Sequence, residues 1–393
     1  MITPRRVAAA AALLTLVLPV SVSAAAAPPS AAAPISEPGS PAVADGFALP
    51  RPTGPLTVGT TALELVDHQR TDPWVPSAGP RRLMVSLFYP ARPGTGTGPA
   101  PYMTQQEAHL LLAGKAPAGT PIPPGPLPLP ATWANQGAVP APGKYPLVVL
   151  SPGFSFPRSS LTGLAEDLAS RGYVVATVDH TYENFGTTFP DGQTLTCLIC
   201  DNPPPNGFTD IEHSRAKDLS FVIDQLTGPH PAWRYAHLID RHRIGLAGHS
   251  IGGSSAALTM AQDPRIRAGA DLDGSFHEEQ PAAGVGDRPF LLFGAPDELT
   301  GPAFENWSAA WQQLSGWKRW VTVDGFTHSS FTDLPLLAAG LGVPVQGETV
   351  PPAREERITQ AYVAAFFDLQ LKGIAQPLLD GPSGAFPEVS FQH

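Results

Sequence analysis

The chain has 393 residues, of which 42% are hydrophobic, and this is ample for a buried core. Its formal net charge of −10 disfavours nucleic acid or an anionic membrane as the main partner. Two cysteines are too few for a zinc centre without histidines, and the sequence predicts no metal, no cofactor and no partner protein.

Residues 1–24 have the pattern of a cleavable secretory signal. Arg5 and Arg6 precede an apolar run, and small residues end at Ala24. The run is too short to span a membrane comfortably. We therefore expect a secreted protein. Its net charge would be about −12, because the signal holds two of the 24 basic residues and none of the 34 acidic ones.

Residues 25–52 are rich in Ala, Pro and Ser, which predicts a disordered linker. A single globular domain is expected over 53–380, with an irregular insertion at 181–210. This insertion carries Cys197 and Cys200, which in an exported protein are expected to form a local disulfide.

Hydrophobic patterning predicts an α/β fold. Strands are expected at 82–89, 147–150, 173–178, 244–247, 268–272, 290–293 and 320–323, the last being the final strand. Helices are expected at 104–112, 161–171, 212–226, 252–262, 302–315 and 358–371, the last closing the chain. Continuous apolar strands alternating with amphipathic helices are typical of a mostly parallel sheet covered on both faces. Ligands bind such sheets at the carboxyl ends of the strands.

The most informative stretch is Gly248-His249-Ser250-Ile251-Gly252, which follows a short apolar strand and opens a helix. Gly-x-Ser-x-Gly in this context predicts a sharp turn that exposes the Ser250 hydroxyl. Gly248 and Gly252 leave room where a Cβ would clash with the neighbouring strand or helix. Ser250 is the candidate nucleophile.

A serine nucleophile needs a base, which in turn needs a carboxylate. His328 is the best base, because it follows the last predicted strand on a loop at its carboxyl end. His277 is a weaker candidate, His249 is expected to pack within the turn, and His180 could line the pocket. The remaining histidines are expected to be structural or at the surface.

Spacing alone does not identify which aspartate is the acid. Asp273 ends the strand after the nucleophile's helix, and Asp297 follows the next strand. Asp271 shares a face with Asp273 but lies within the strand.

An oxyanion formed at the nucleophile requires two backbone N–H donors. Ile251 directly follows the nucleophile, and Phe154 lies in the loop after strand 147–150, where Pro152 has no N–H.

At this point the chain resembles the plasma-type platelet-activating factor acetylhydrolases and their bacterial relatives, within the α/β-hydrolase superfamily. The similarity runs from about Gly54 to Leu371. It is carried by the segments Gly54–Thr61, Lys144–Phe154, Ile239–Gly253, Gly269–Gly274 and Gly325–Asp333. Pro152 departs from the histidine that is common in the family.

The resemblance implies an α/β-hydrolase fold with Ser250 as nucleophile, His328 as base and Asp273 as acid, and with Phe154 and Ile251 as oxyanion donors. It also implies short-chain, oxidised or phospholipid acyl esters as substrates. A leucine patch within 104–112 would suit transient contact with a lipid surface, although an ordinary core helix explains it equally well.

We therefore expect a secreted serine carboxylesterase. One alternative is a lipase or polyester hydrolase that uses Asp297 as its acid. A second alternative is a binding protein on an inactive hydrolase scaffold, and transfer of the acyl group to another alcohol instead of water is a third.

Overall fold

The computed structural model describes residues 47–117, 119–277, 284–343, 345, 347 and 349–392. In these residues the strands are β1 (Thr57–Thr71), β2 (Pro80–Ala91), β3 (Asn135–Gln136), β4 (Tyr145–Ser151), β5 (Val174–Asp179), β6 (Thr187–Thr188), β7 (Thr194–Leu195), β8 (Ile239–His249), β9 (Ile266–Leu272), β10 (Phe290–Gly294), β11 (Lys318–Val323) and β12 (Val389–Phe391). The α-helices are α1 (Gln105–Lys115), α2 (Thr162–Ser170), α3 (Leu198–Asp201), α4 (Phe208–Thr227), α5 (Ile251–Gln262), α6 (Gly301–Gln313), α7 (Leu334–Gly340) and α8 (Pro352–Lys372).

A ten-stranded sheet runs in the order β12-β11-β10-β9-β8-β4-β5-β2-β1-β3. The six strands from β11 to β5 are parallel to one another, while β12, β2 and β1 pair antiparallel with their neighbours towards the two edges. This is the mostly parallel sheet that the sequence predicts. Because parallel strands end at one edge, the loops after β4, β8, β9 and β11 meet there.

Two apolar layers cover the sheet. Leu147 and Val149 pack with α4, α5 and α6 on one face, and Val148 and Leu150 pack with α2 and α8 on the other. Alternate residues of a strand point to opposite faces, so a strand buried on both sides must be apolar throughout. The fold is the α/β-hydrolase arrangement that the sequence predicts.

Both ends of the predicted domain need correction. The helix predicted to close the chain is followed by β12, which pairs with β11, so the domain extends beyond residue 380 and 320–323 is not the final strand.

At the other end, Leu49 of the predicted linker is buried and donates its N–H to the Ala131 carbonyl. One apolar side chain and a backbone pairing thus anchor a segment whose composition predicts disorder. Residues 25–46 of the predicted linker and the signal lie outside the described residues.

The insertion at 181–210 is more regular than its composition predicts. It contains the β6–β7 hairpin, helix α3 and the start of α4. Cys197 and Cys200 form a disulfide, as expected, with Cα atoms 5.4 Å apart. Cys197 packs with Ile199, Ile211 and Ile251, which joins the insertion to the start of α5.

In the described part of the chain, every helix is too short or too polar to cross a lipid bilayer.

Candidate active site

Ser250 occupies the sharp turn between β8 and α5, with a φ of 56°. A Cβ on Gly248 would lie 2.2 Å from the Gly252 backbone, and one on Gly252 would lie 2.1 Å from the Ser151 carbonyl oxygen. Only glycine permits these approaches, because any side chain would force the strand and helix apart. The motif therefore imposes a strained turn, which presents Ser250 at the edge where the parallel strands end.

His328 and Asp273 meet Ser250 at this edge. The His328 Nε2 atom lies 2.9 Å from Ser250 Oγ, and His328 Nδ1 lies 2.6 Å from Asp273 Oδ2. The second Asp273 oxygen accepts a hydrogen bond of 2.6 Å from the Ala295 N–H. The His328 side chain is 55% exposed, whereas Asp273 is buried. Asp273 on Nδ1 leaves His328 Nε2 facing the Ser250 hydroxyl, which is the ring orientation that a serine nucleophile requires.

Asp297 does not share this position. It is exposed, lies in the turn Pro296–Leu299, and is not the carboxylate hydrogen-bonded to His328. Asp271 is fully buried within β9, where burial and the nearby Glu298 raise its pKa well above the usual range. The geometry therefore supports Asp273, which spacing alone did not distinguish from Asp297.

The loop Ser151–Ser155, here called the oxyanion loop, lies beside the start of α5. Its Gly153 carbonyl accepts a hydrogen bond of 3.1 Å from the Phe156 N–H, and Ser155 donates to the Glu183 carbonyl at 2.8 Å. Among the described residues, the N–H groups of Phe154 and Ile251 have no hydrogen-bond acceptor. Two free donors beside a serine nucleophile are the requirement for binding an oxyanion.

His249 has a structural role beyond filling the turn. Its Nε2 atom lies 2.6 Å from the His328 carbonyl oxygen, and its ring stacks on Phe156 with centroids 5.3 Å apart. Burial and the nearby His328 lower the pKa of His249 well below its usual value. A neutral His249 ring that donates from Nε2 thus fixes the backbone of His328, a contact that the sequence did not predict.

His180 does not line a pocket, contrary to expectation, because it is 1% exposed. Its Nε2 atom lies 3.0 Å from Ser151 Oγ, and its Nδ1 atom lies 2.9 Å from Asp218 Oδ2. This is a second Ser–His–Asp arrangement, but Ser151 is completely buried. Arg81 bonds Asp218 at 2.7 Å and Glu183 at 3.2 Å, so cations already pair with these carboxylates.

The ligand-type atoms of His180, Glu183 and Asp218 lie within 4.8 Å of one another. A metal ion there would have to displace Arg81 from both acids, since its guanidinium occupies the space between them. The donor set therefore fits a buried salt-bridge network better than a metal centre.

An apolar groove of about 420 Å³ opens beside His328, between α1 and α7. Leu111, Leu112 and Leu337 line it, so two leucines of the predicted lipid patch belong to an internal wall, as the core-helix alternative expects. Lys115 lies at its rim with its ammonium 3.9 Å from the Phe156 ring centroid, and desolvation lowers its pKa to about 8. The groove can hold an apolar part of a substrate next to Ser250.

Comparisons with known proteins identify relatives among esterases. Residues 43–191 match the family described as platelet-activating factor acetylhydrolase, isoform II. A protein of Arthroderma benhamiae named "Probable 1-alkyl-2-acetylglycerophosphocholine esterase" is 30% identical over 388 residues, covering 89% of this chain and 95% of that protein. A cutinase of Thermobifida fusca is 27% identical over 47% of this chain and 52% of its own length.

A solved structure of a ferulic acid esterase from Streptomyces cinnamoneus superposes with a TM-score of 0.80 and 45% sequence identity. The match covers 88% of this chain and all of that one. Similarity to esterases over most of the chain is thus found together with a serine, a histidine and an aspartate that are hydrogen-bonded in this order at the strand ends. The chain belongs to the platelet-activating factor acetylhydrolase isoform II family and is a carboxylic ester hydrolase with an α/β-hydrolase fold.

Proposed function

We propose that Ser250 is the nucleophile of this esterase, His328 its base and Asp273 the acid that orients the base. The observation that carries the proposal is the unbroken chain of hydrogen bonds from Ser250 Oγ through His328 to Asp273, at 2.9 and 2.6 Å. Asp273 holds the imidazole so that Nε2 faces the serine, and it stabilises the imidazolium that forms.

The reaction proceeds through an acyl-enzyme. Ser250 Oγ attacks the ester carbonyl while His328 Nε2 takes its proton, and the N–H groups of Phe154 and Ile251 stabilise the resulting oxyanion. Collapse breaks the bond to the alcohol, which receives the proton from His328. Water, activated by the same imidazole, then attacks the acyl-enzyme and releases the carboxylic acid and Ser250.

Replacement of the nucleophile tests the proposal directly. Ser250→Ala is expected to lower p-nitrophenyl acetate hydrolysis by at least about 10⁴-fold, because no other group forms the acyl-enzyme. Circular dichroism and thermal unfolding check that the variant remains folded. A fluorophosphonate probe should label the native protein and not the variant. Activity of the variant near that of the native protein would refute the assignment.

For the substrate we propose short-chain acyl esters, including phospholipid acyl esters. The apolar groove beside His328 supports this, because a cavity of about 420 Å³ suits a short acyl or alkyl group. The names of the relatives support it too, since the Arthroderma benhamiae protein is named for 1-alkyl-2-acetylglycerophosphocholine.

A second candidate is an ester of an aromatic acid such as ferulic acid. Its support is the solved ferulic acid esterase, which is 45% identical to this chain. A flat ring could occupy the same groove in contact with Leu111 and Leu337. An apolar wall makes dispersion contacts with an aromatic ring and with an alkyl chain alike, so the two candidates are separated by activity measurements.

A panel of esters separates the candidates. We propose measuring kcat/KM for p-nitrophenyl esters of graded chain length, a short-chain phosphatidylcholine, methyl ferulate and an insoluble polyester. Highest values for acetate or butyrate and the phospholipid would support the first proposal, and highest values for methyl ferulate the second. Preference for long chains or polyester would favour the lipase or cutinase alternative. Product analysis with added methanol would detect acyl transfer to an alcohol.

We propose in addition that the protein is exported. The support is the signal-like pattern of residues 1–24 together with the Cys197–Cys200 disulfide, which forms most readily in oxidising compartments. Expression in a secreting host followed by N-terminal sequencing of the medium protein tests this. A mature terminus at residue 25 is expected, and retention of residues 1–24 on an intracellular product would contradict it.

A further inference from the structure

A buried arginine of α4 is hydrogen-bonded to the oxyanion loop. Arg215 is 1% exposed and donates from Nη1 to the Pro152 carbonyl oxygen, with Ser151 Oγ 3.4 Å from the same nitrogen. Its Nε atom bonds Glu183 Oε2 at 2.7 Å. The guanidinium therefore joins the loop to a buried carboxylate instead of merely neutralising that carboxylate.

Glu183 holds the other end of the same loop. Its backbone carbonyl accepts the Ser155 N–H at 2.8 Å, and Ser155 has a φ of 67°, which a non-glycine residue adopts only when surrounding contacts enforce it. The Glu183 side chain is itself fixed by Trp74 Nε1 at 2.9 Å and Arg81 Nη2 at 3.2 Å. One ion pair, Arg215 with Glu183, thus anchors the loop at both Pro152 and Ser155.

These anchors bear on the orientation of the oxyanion donor. A peptide unit is planar and trans, so fixing a carbonyl oxygen also fixes the N–H on the opposite side of that unit. Arg215 fixes the Pro152–Gly153 unit, and the Phe156 N–H fixes the Gly153–Phe154 unit through the Gly153 carbonyl. The Phe154 N–H belongs to the second of these units, so it points away from the Gly153 carbonyl, and the first unit fixes the chain that leads into it. It is left without an acceptor in the described residues.

We propose that Arg215 is a positioning residue for ester hydrolysis, which acts through the Pro152 peptide to keep the Phe154 N–H directed at the developing oxyanion. The proposal rests on the catalytic assignment above. A donor that is already oriented stabilises the transition state without reorganisation, and this is where such a site gains most of its rate. Arginine is required because its planar fork binds a carbonyl and a carboxylate in two directions at once, which a lysine ammonium does not reproduce.

The test uses Arg215→Lys and the double variant Arg215→Met/Glu183→Gln, which removes both charges so that neither is left buried alone. Arg243→Lys, at a surface pair with Asp240, serves as the matched control. For each protein, kcat, KM and the inhibition constant of a short alkyl trifluoromethyl ketone are measured per active site. The ketone is a suitable probe because it adds Ser250 to form a tetrahedral oxyanion.

We expect kcat to fall about 10- to 100-fold in both Arg215 variants, somewhat less than the loss of a whole oxyanion donor. KM should stay within about twofold, and the inhibition constant should rise in parallel with the loss of kcat. The pH dependence of kcat/KM should keep its midpoint, since His328 and Asp273 are untouched. The control should match the native protein.

If folded variants of either kind keep native kcat and native ketone affinity, Arg215 has only a structural role and the proposal is wrong, even if their melting temperatures fall. If instead Ser250→Ala remains active, the catalytic assignment itself is wrong, and this outcome is recognised independently of any Arg215 variant.

Discussion

Within the described part of the chain, two Ser–His–Asp arrangements have nearly the same hydrogen bonds. In the exposed one, Ser250 lies 2.9 Å from His328 and His328 lies 2.6 Å from Asp273. In the buried one, the matching distances around His180 are 3.0 and 2.9 Å. The pattern of three side chains therefore does not by itself identify an active site.

The two arrangements differ in the exposure of the serine and in the backbone N–H of the residue that follows it. Ser250 stands on a strained turn followed by Ile251, whose N–H has no acceptor among the residues that the structure describes. Ser151 is fully buried and is followed by Pro152, which has no N–H. A serine without space for an ester or a donor for its oxyanion cannot form a tetrahedral intermediate. The buried arrangement acts as a support for the oxyanion loop.

The acid of the buried arrangement, Asp218, is surrounded by positively charged side chains. Burial alone would raise the pKa of Asp218, but Arg81, His180 and Arg70 together lower it well below its usual value. Burial and the positive charge of Arg215 lower the pKa of His180. The buried pair is thus fixed as a carboxylate beside a neutral imidazole, which suits a structural link and not a proton shuttle.

The largest expected effect is a loss of kcat when the acid of the exposed arrangement is replaced. Asp273→Asn should lower kcat about 10³- to 10⁴-fold, because an amide no longer holds His328 in the productive tautomer. Asp297→Asn is the matched control and should retain nearly native kcat on p-nitrophenyl acetate, since Asp297 lies at the surface. The reverse outcome would show that the lipase-like acid position is the functional one.

The same substitution in the buried arrangement should affect stability instead. Asp218→Asn removes the buried carboxylate that Arg81, Arg70 and His180 share, and we expect a loss of about 3–5 kcal/mol in the free energy of unfolding. Urea unfolding followed by fluorescence measures it. Asp224→Asn, at an exposed pair with Arg265, is the control and should cost about 1 kcal/mol or less. An unchanged unfolding midpoint for Asp218→Asn would contradict a structural role for the network.

A smaller effect is expected from loss of the disulfide, which packs in one cluster with Ile251 and Phe154, the proposed oxyanion donors. The bridge closes a loop of only three residues' separation, so its loss in Cys197→Ser/Cys200→Ser should cost about 2 kcal/mol or less. We expect a modest fall in melting temperature and at most a few-fold fall in kcat. A reducing agent should lower the melting temperature of the native protein and leave the double variant unchanged.

The smallest expected effect is the contribution of His180 to the pH dependence of folding stability. Because the folded-state pKa of His180 is lowered, the unfolded chain binds a proton first as the pH falls below about 6.5, and folding is weakened there. His180 therefore contributes stability that is present above this pH and lost below it, by at most about 1.4 kcal/mol per pH unit.

Buried acids with raised pKa values, among them Glu166 at about 8, act in the opposite direction. The test is therefore the difference between the native protein and His180→Asn, measured by urea unfolding at pH 7 and at pH 5.5. The variant should lose less stability on acidification than the native protein, and an equal loss would exclude a contribution from His180.

Much of the fold followed from local pattern. The apolar run 147–150 predicted a strand buried on both faces because alternation was absent, and the structure places β4 at the centre of the sheet. Helix α7 and strand β12 were not predicted, since α7 is only seven residues long and β12 gains its stability from pairing with β11. Short elements depend on tertiary contacts more than on their own sequence.

The sequence by itself determined the turn at Ser250, because Gly248 and Gly252 impose its conformation within five residues. It also indicated His328 as the base. Only the tertiary structure decided that Asp273 meets His328, that His180 is buried, and that Arg215 holds the oxyanion loop. Those contacts join residues 55, 38 and 63 positions apart, and their distances depend on the order of strands in the sheet and not on spacing along the chain.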